Sequence, residues 1–179
     1  MQKPASPDPV ADPGAYRDHI LSLLGDDDPA EAQVGGLDAW RAIVTEAGDL
    51  GAVRPEPAEW SVVECLAHAL DAEIVSAARY RWILAHDEPE LMGYDQNLWV
   101  DALHAGRLEE PEELFELFEP LRRANLALWA RSSEEDRARA GIHAERGRET
   151  YDQVFRMIAG HDRFHLAQAQ RALDAVWGG

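Results

Sequence analysis

Two histidines near the C-terminus, His161 and His165, have a spacing that suits metal coordination. They lie in a stretch from Thr150 to Asp174 whose apolar residues recur every three or four positions, the period of one helix face. A four-residue step separates two side chains by about 40° and one helical turn. Both imidazoles therefore fall on the inward stripe, where one rigid helix can present them to a single metal ion. The alternative for each is an ordinary hydrogen bond in the core.

A third histidine, His68, lies in a helix that the sequence predicts from Ser61 to about Ala85. Ser61 and Glu64 have the spacing of a capping box, which marks a helix start. The helix is apolar over most of its circumference, which indicates a central position in a bundle. Glu64 and Asp71 each lie one turn from His68, so each is a candidate hydrogen-bond acceptor for its second ring nitrogen. The alternative for both carboxylates is a solvated position on the helix.

Two more amphipathic helices complete the predicted core. One carries Leu37, Trp40 and Val44 and ends at Gly48. The other begins at Pro111, and its predicted inward stripe is Leu114, Leu117, Phe118, Leu121, Asn125 and Leu128. Asn125 would need a polar partner there. With no credible strand, the predicted fold class is all-α, a four-helix bundle with a long connection, residues 87–110, between the second and third core helices.

Length and charge limit the function. The 179 residues suggest one domain, predicted as residues 15–179 after a flexible tail of residues 1–14 that contains four prolines. Asp and Glu number 34 against 17 Lys and Arg, a net charge of -17 that disfavours nucleic acid and anionic membranes as partners. A single cysteine and no long apolar run favour a cytoplasmic protein without an internal disulfide.

The spacing of the possible ligands argues against other known kinds of metal site. A zincin takes a third ligand downstream, but no His or Glu follows His165. Di-iron bundles need Glu-x-x-His on two helices, which the chain lacks. Cys65 on an apolar helix is predicted to be an inert core residue. The remaining histidines are predicted to lie at the surface: His19, His86, His104 and His143.

Several of these residues form a pattern that resembles the DinB/YfiT-like family. The pattern runs from about residue 60 to residue 175 and comprises Trp60-Ser61, His68, Asp71, Glu73, Gly147, Thr150 and His161-Asp162-x-x-His165-x-x-Gln168, while Pro89, Asp95 and Trp99 are similar to one branch of the family. The resemblance implies a bundle of DinB/YfiT type, often a homodimer. It also implies one divalent metal ion held by His68, His161 and His165. Zinc is the expected metal, with nickel, iron or manganese as alternatives.

The resemblance also suggests a reaction. Characterised members include thiol S-transferases that use bacillithiol or mycothiol, and a mycothiol-dependent maleylpyruvate isomerase. We therefore expect a metal-dependent transferase that activates a low-molecular-weight thiol toward a small electrophilic substrate. A thiol-dependent isomerase and a non-enzymatic, stress-associated bundle that binds metal or ligand are the alternatives. Candidates for the pocket wall are Arg79, Tyr94, Asp95 and Trp99.

Overall fold

The computed structural model describes residue 7 and residues 11–105 and 110–178. The helices are α1 (Pro13–Leu24), α2 (Pro29–Ala47), α3 (Val62–Ala85), α4 (Gln96–Trp99), α5 (Pro111–Ala130), α6 (Glu134–Ala138) and α7 (Tyr151–Gly178), and the strands are β1 (Glu90–Leu91), β2 (Ala140–His143) and β3 (Gly147–Thr150). A 3₁₀ turn spans Gly48–Ala52, and a π-helical turn spans Val100–His104. Most of the predicted tail lies outside the described residues, as do residues 106–109 of the long connection, and α1 begins within the predicted tail.

The helix starts follow local capping chemistry. The carboxylate of Asp28 accepts hydrogen bonds from the first backbone N–H groups of α2. Ser61 and Glu64 form the predicted reciprocal capping box at the start of α3. At α7 the hydroxyl of Thr150 accepts from the backbone N–H of Gln153 at 3.1 Å. The predicted starts of the two helices that carry the predicted metal ligands are therefore confirmed.

The core helices α2, α3, α5 and α7 pack against one another as a four-helix bundle, as predicted. The shorter helix α1 lies outside this group, against α7. Its approach depends on Gly160, because a Cβ atom there would lie 2.1 Å from the carbonyl oxygen of Ile20. In the part of the chain that the structure describes, no helix is both long enough and apolar enough to span a membrane.

The inward face of α5 differs from the prediction. Leu117 is 63% exposed. The buried residues are instead Leu114, Phe115, Phe118, Arg122, Asn125 and Trp129. The predicted stripe was shifted because it passed over Arg122, a charged residue at a core position. Asn125 has the polar partners that the sequence required, since its amide donates to Glu73 at 2.7 Å and accepts from Arg81 at 3.0 Å.

The hydrophobic core is divided into two clusters. One surrounds Trp40 and Leu66, and the other surrounds Tyr80 and Phe155. On α5 and α7 the change from one cluster to the other coincides with a buried charged residue, respectively Arg122 and Asp162, and on α3 the buried Glu73 follows the change, which falls between Leu70 and Ala72. A charged layer therefore crosses the middle of the bundle.

The prediction that the chain contains no strand is wrong. A small sheet has the order β1-β2-β3, with β1 parallel to β2 and β2 antiparallel to β3. The pairing of β1 with β2 fixes the first part of the 87–110 connection to the segment that leads into α7. Strands of two to four residues are too short to show an alternating pattern, so the sequence carried no usable signal for them.

Candidate metal site

His68 from α3 meets His161 and His165 from α7. The Nε2 atoms of His68 and His161 lie 3.0 Å apart, and each of the three residues offers a ring nitrogen within 4.8 Å of the others. His68 and His165 are buried, whereas His161 keeps part of its surface open. The structure thus brings together the three predicted ligands, two from one helix and one from a helix packed against it.

The hydrogen bonds of His165 leave one of its nitrogens bare. Its Nδ1 lies 3.0 Å from the amide oxygen of Gln168. Because that oxygen can only accept, Nδ1 carries the proton and Nε2 presents a lone pair. This Nε2 is buried and has no hydrogen-bond partner among the described residues. A buried lone pair without a donor is costly, so an electron-pair acceptor such as a metal ion fits this site.

The three imidazoles are held in the neutral form that metal coordination requires. Burial lowers the pKa of His68 and of His165 well below the ordinary value, and the neighbouring histidines lower it further. His161 is partly exposed, but most of its ring is surrounded by protein, and this burial lowers its pKa to about 4. The donor set is therefore three neutral nitrogens, a set that suits zinc and several other divalent ions.

Trp60 encloses the histidine cluster on one side. Its ring is stacked on His165 at a centroid distance of 5.8 Å and is tilted against His68 at 5.0 Å. Trp60 directly precedes the residue that caps α3, so the start of that helix fixes the indole. The apolar ring keeps water from this side of the cluster.

The predicted carboxylate partners of His68 have other roles, so that prediction is wrong. Glu64 accepts from Arg54 at 2.8–2.9 Å, and Asp71 lies 2.9 Å from Nε2 of His104. Both carboxylates are buried, so the solvated alternative is wrong too. Nδ1 of His68 has no hydrogen-bond partner in the described part of the chain. His104 is buried rather than at the surface, because the π-helical turn carries it onto α3.

A buried ion-pair network lies behind the cluster. Arg122 donates to Glu73 at 2.8 Å and to Asp162 at 2.6 Å, and all three side chains are almost fully buried. It also donates to the carbonyl oxygen of Gln33 at 3.2 Å. Asp162 directly follows His161, so this network holds α7 beside the site. Sequence reasoning missed this network, because the predicted inward stripe of α5 passed over Arg122.

A cavity of about 320 Å³ opens beside the histidines, with His161 in its wall. It lies between α3 and α7 and is bordered by α1, by residues 93–97 and by the turn between β2 and β3. On α3 the wall is formed by Ala72, Ser76 and Arg79. The volume is at the small end of the range of about 300–1,000 Å³ for ligand pockets, so it suits a small molecule.

Three of the four pocket candidates from the sequence line this cavity, namely Arg79, Tyr94 and Asp95. The fourth, Trp99, packs behind Tyr94 at a centroid distance of 4.5 Å.

Sequence reasoning missed His143 and Arg146, which also line the cavity. His143 was predicted at the surface but is 1% exposed. The sheet brings it there, and the sheet had no sequence signal. The predictions made from side-chain type for Cys65 and His86 fit the structure. Cys65 is buried in the core, where burial raises the pKa of its thiol, and His86 is exposed at the end of α3.

The chain matches one protein family in sequence and a solved structure in fold. The sequence profile of the DinB superfamily matches residues 38–169. The fold is similar to that of YfiT from Bacillus subtilis, with a TM-score of 0.71 and 18% sequence identity over 99% of this chain and 94% of YfiT. YfiT is described as "a probable metal-dependent hydrolase with an unusual four-helix bundle topology". No curated protein matches the chain.

Proposed function

The chain belongs to the DinB superfamily, and on that premise we propose that it binds one divalent metal ion through His68, His161 and His165. The observation that carries the proposal is the buried Nε2 of His165, which has no partner among the described residues and keeps a free lone pair because Nδ1 donates to Gln168. Three neutral imidazoles supply no charge, which leaves the ion its full Lewis acidity. Zinc is the default metal, with nickel, iron or manganese as alternatives.

The reaction that we propose is transfer of a low-molecular-weight thiol, of the bacillithiol or mycothiol type, to a small electrophile. When bound, a divalent ion supplies Lewis acidity that lowers the pKa of a thiol or of a water molecule reaching its open position. The chain's own residues contribute binding and enclosure. The cavity accommodates a small molecule next to His161, and Trp60 shields the opposite side of the cluster. Cys65 takes no part, because it is buried and its thiol is held protonated.

Hydrolysis is the second candidate, and the description of YfiT favours it. The same cavity beside the same donor set would serve a hydrolase, with water in place of the thiol. A thiol-dependent isomerase would use the thiol and the site without consuming the thiol. Measuring the reaction distinguishes the transferase, the hydrolase and the isomerase.

The metal proposal is tested by elemental analysis of the purified protein and of His161→Ala. We expect about one equivalent of metal in the wild type and a large loss in the variant. His86→Ala is the matched control, since this histidine is exposed at the end of α3, and it should retain the metal. Equal metal content in His161→Ala and the wild type would refute the ligand assignment.

The reaction is tested by incubating metal-loaded protein with bacillithiol, mycothiol or glutathione and monochlorobimane. A conjugation rate above background that disappears in His165→Ala supports the transferase. A rate on chromogenic esters that needs the metal and His165 but no thiol supports the hydrolase instead. If no histidine-dependent rate appears with any thiol or ester, and no thiol changes the spectrum of the cobalt-substituted protein, the non-enzymatic function is favoured.

We also propose that the chain forms a homodimer, as the family resemblance implies. Large apolar side chains are exposed on neighbouring helices of the bundle, among them Ile74 and Trp82 on α3 and Leu117 on α5. Sedimentation equilibrium at several protein concentrations measures the association. A mass of one chain at all concentrations would contradict the proposal.

A further inference from the structure

Arg79 is a buried cation that forms no ion pair with any carboxylate in the described part of the chain. Its side chain is only 7% exposed. Nη2 donates to the carbonyl oxygen of Met92 and lies 3.1 Å from Nε2 of His143, while Nε has no hydrogen-bond partner in the described chain. Burying a charge without a counter-charge is costly. Burial accordingly lowers the pKa of Arg79.

The neighbouring acidic residue does not neutralise this cation. Glu149 is held by Arg146 through two hydrogen bonds, of 2.6 Å and 3.0 Å. Arg146 adds a second positive charge, which also acts to lower the pKa of Arg79. The two exposed carboxylates of the cavity wall, Asp95 and Glu145, lie toward solvent. Among the described residues, the charge of Arg79 is therefore buried without a paired carboxylate, and electrostatic interactions there are stronger than in water.

His143 holds Arg79 in place without neutralising its charge. The pKa of His143 is lowered to about 4, first by burial, so the ring is neutral at ordinary pH. A guanidinium can only donate, so Nε2 of His143 accepts from Nη2 of Arg79 at 3.1 Å. The Nε–H of Arg79 still has no acceptor among the described residues. An anionic oxygen from a ligand would supply the missing counter-charge.

Arg79 and the metal site face the same cavity. Residues 68 and 79 are eleven positions apart, which places them about 20° apart around α3 and about 16 Å apart along its axis. Between them the wall is formed by the small side chains of Ala72 and Ser76, which leave room for a ligand. A molecule in this cavity can therefore have one end at Arg79 and the other beside His161.

We propose that Arg79, held in place by His143, binds the carboxylate of a small organic ligand whose other end lies at the three-histidine site. The role of that second end rests on the function proposed above, whereas the carboxylate subsite stands on the Arg79 contacts alone. A carboxylate matches the planar donor fork of one guanidinium. A doubly charged phosphate would be poorly matched, since the second cation, Arg146, is already paired with Glu149. The carboxylate belongs either to the thiol or to its electrophilic partner.

The subsite is tested by titrating the full-length protein, as purified and again after chelation, with succinate and with its neutral analogue succinamide. The readout is the ¹H–¹⁵N NMR signals of arginine Nε–H groups, with the Arg79 signal assigned by its loss in Arg79→Gln. We expect succinate, but not succinamide, to shift this signal. In Arg79→Gln, succinate binding is followed through the signals of other residues. Its affinity should fall about tenfold or more, which is the loss that a charge-assisted hydrogen bond implies.

Two matched variants complete the test. Arg79→Lys keeps the charge without the fork and should bind succinate with intermediate affinity. Glu145→Gln removes an exposed carboxylate of the cavity wall and should bind succinate at least as well as the wild type. The subsite is refuted if the wild type does not distinguish succinate from succinamide. It is also refuted if well-folded Arg79→Gln binds succinate as the wild type does. The first comparison needs no variant, so a folding defect cannot obscure it.

A separate experiment identifies the source of the carboxylate. The cobalt-substituted protein is titrated with glutathione and with glutathione diethyl ester, following the visible spectrum. A preference for the free acid that falls about tenfold in Arg79→Gln assigns the carboxylate to the thiol. If acid and ester perturb cobalt equally while succinate still shifts Arg79, the carboxylate belongs to the electrophile. If neither form of glutathione perturbs cobalt but succinate shifts Arg79, glutathione is excluded as the thiol and the subsite stands.

Discussion

Replacing Arg122 with methionine would test the charged layer that crosses the bundle. The Arg122 side chain is 1% exposed and donates to Glu73 at 2.8 Å and to Asp162 at 2.6 Å, so the change leaves two buried carboxylates without their cation. Removing one partner of a buried ion pair costs about 3–5 kcal/mol. For a chain of this length, that loss lowers the melting temperature by about 6–20 °C. Urea unfolding followed by far-UV circular dichroism, in the presence of chelator, measures the free energy without a contribution from metal.

Two control variants separate the loss of a buried pair from general damage. Arg123→Met removes a neighbouring guanidinium whose side chain is 68% exposed and pairs with Glu119, so its cost should be within about 1 kcal/mol. A triple variant, Arg122→Met with Glu73→Gln and Asp162→Asn, removes all three charges and should recover much of the lost stability. The reasoning is refuted if Arg122→Met costs no more than Arg123→Met. It is also refuted if the triple variant is less stable than the single one.

Four further predictions concern α7 and the site. Gly160→Ala should destabilise the protein in thermal unfolding, because its Cβ would lie 2.1 Å from a carbonyl oxygen of α1. Gly35→Ala is the contrasting variant and should stabilise α2 by about 0.5–1 kcal/mol, because its Cβ would meet no atom of another described segment within 4 Å. Gln168→Leu should weaken metal binding about 10–100-fold in a chelator competition. Gln168→Glu should restore the affinity, because both Gln and Glu accept a hydrogen bond from Nδ1–H of His165. The metal-free protein should lose stability as the pH falls below 6.5, because His68, His161 and His165 bind protons in the unfolded chain while burial lowers their pKa values in the folded protein. In urea unfolding, His161→Gln should remove one histidine's share of this dependence, the share lost between pH 6.5 and about 4. After chelation the protein should still give the far-UV circular dichroism spectrum of a folded bundle, and an unfolded spectrum would show that the metal is structural. Metal at 100 times its dissociation constant should raise the free energy of unfolding by about 2.7 kcal/mol.

The features that the sequence predicted are those encoded within a few residues. The caps at Ser61 and Thr150 and the four-residue step from His161 to His165 need no knowledge of the rest of the chain. The helix period fixes the side of α7 on which both histidines lie, and the apolar circumference of α3 makes it central, so the meeting with His68 follows from the bundle.

The features that the sequence did not predict depend on contacts between distant segments. β1 pairs residue 90 with residue 142, and this pairing carries His143 to Arg79. His104 reaches Asp71 through a π-helical turn whose position no local pattern indicates. The predicted face of α5 was wrong because a charge at a core position reads as surface unless its partners are known. In each case the deciding partner is at least 33 residues away, as for Asp71 and His104.

The charged layer has a further role, because it fixes the rotation of α7. Successive helix residues differ by about 100°, so turning α7 by one residue would move both histidines off the face that meets His68. A purely apolar interface tolerates such shifts, since its contacts are non-directional. The two hydrogen bonds from Arg122 to Asp162 are directional, and Gly36 allows the close approach, since a Cβ there would lie 2.8 Å from the Asp162 carboxylate. The pair therefore orients His161, the adjacent residue, toward the site. Burying the charges has a desolvation cost, and the fixed orientation of α7 is what the protein gains in return.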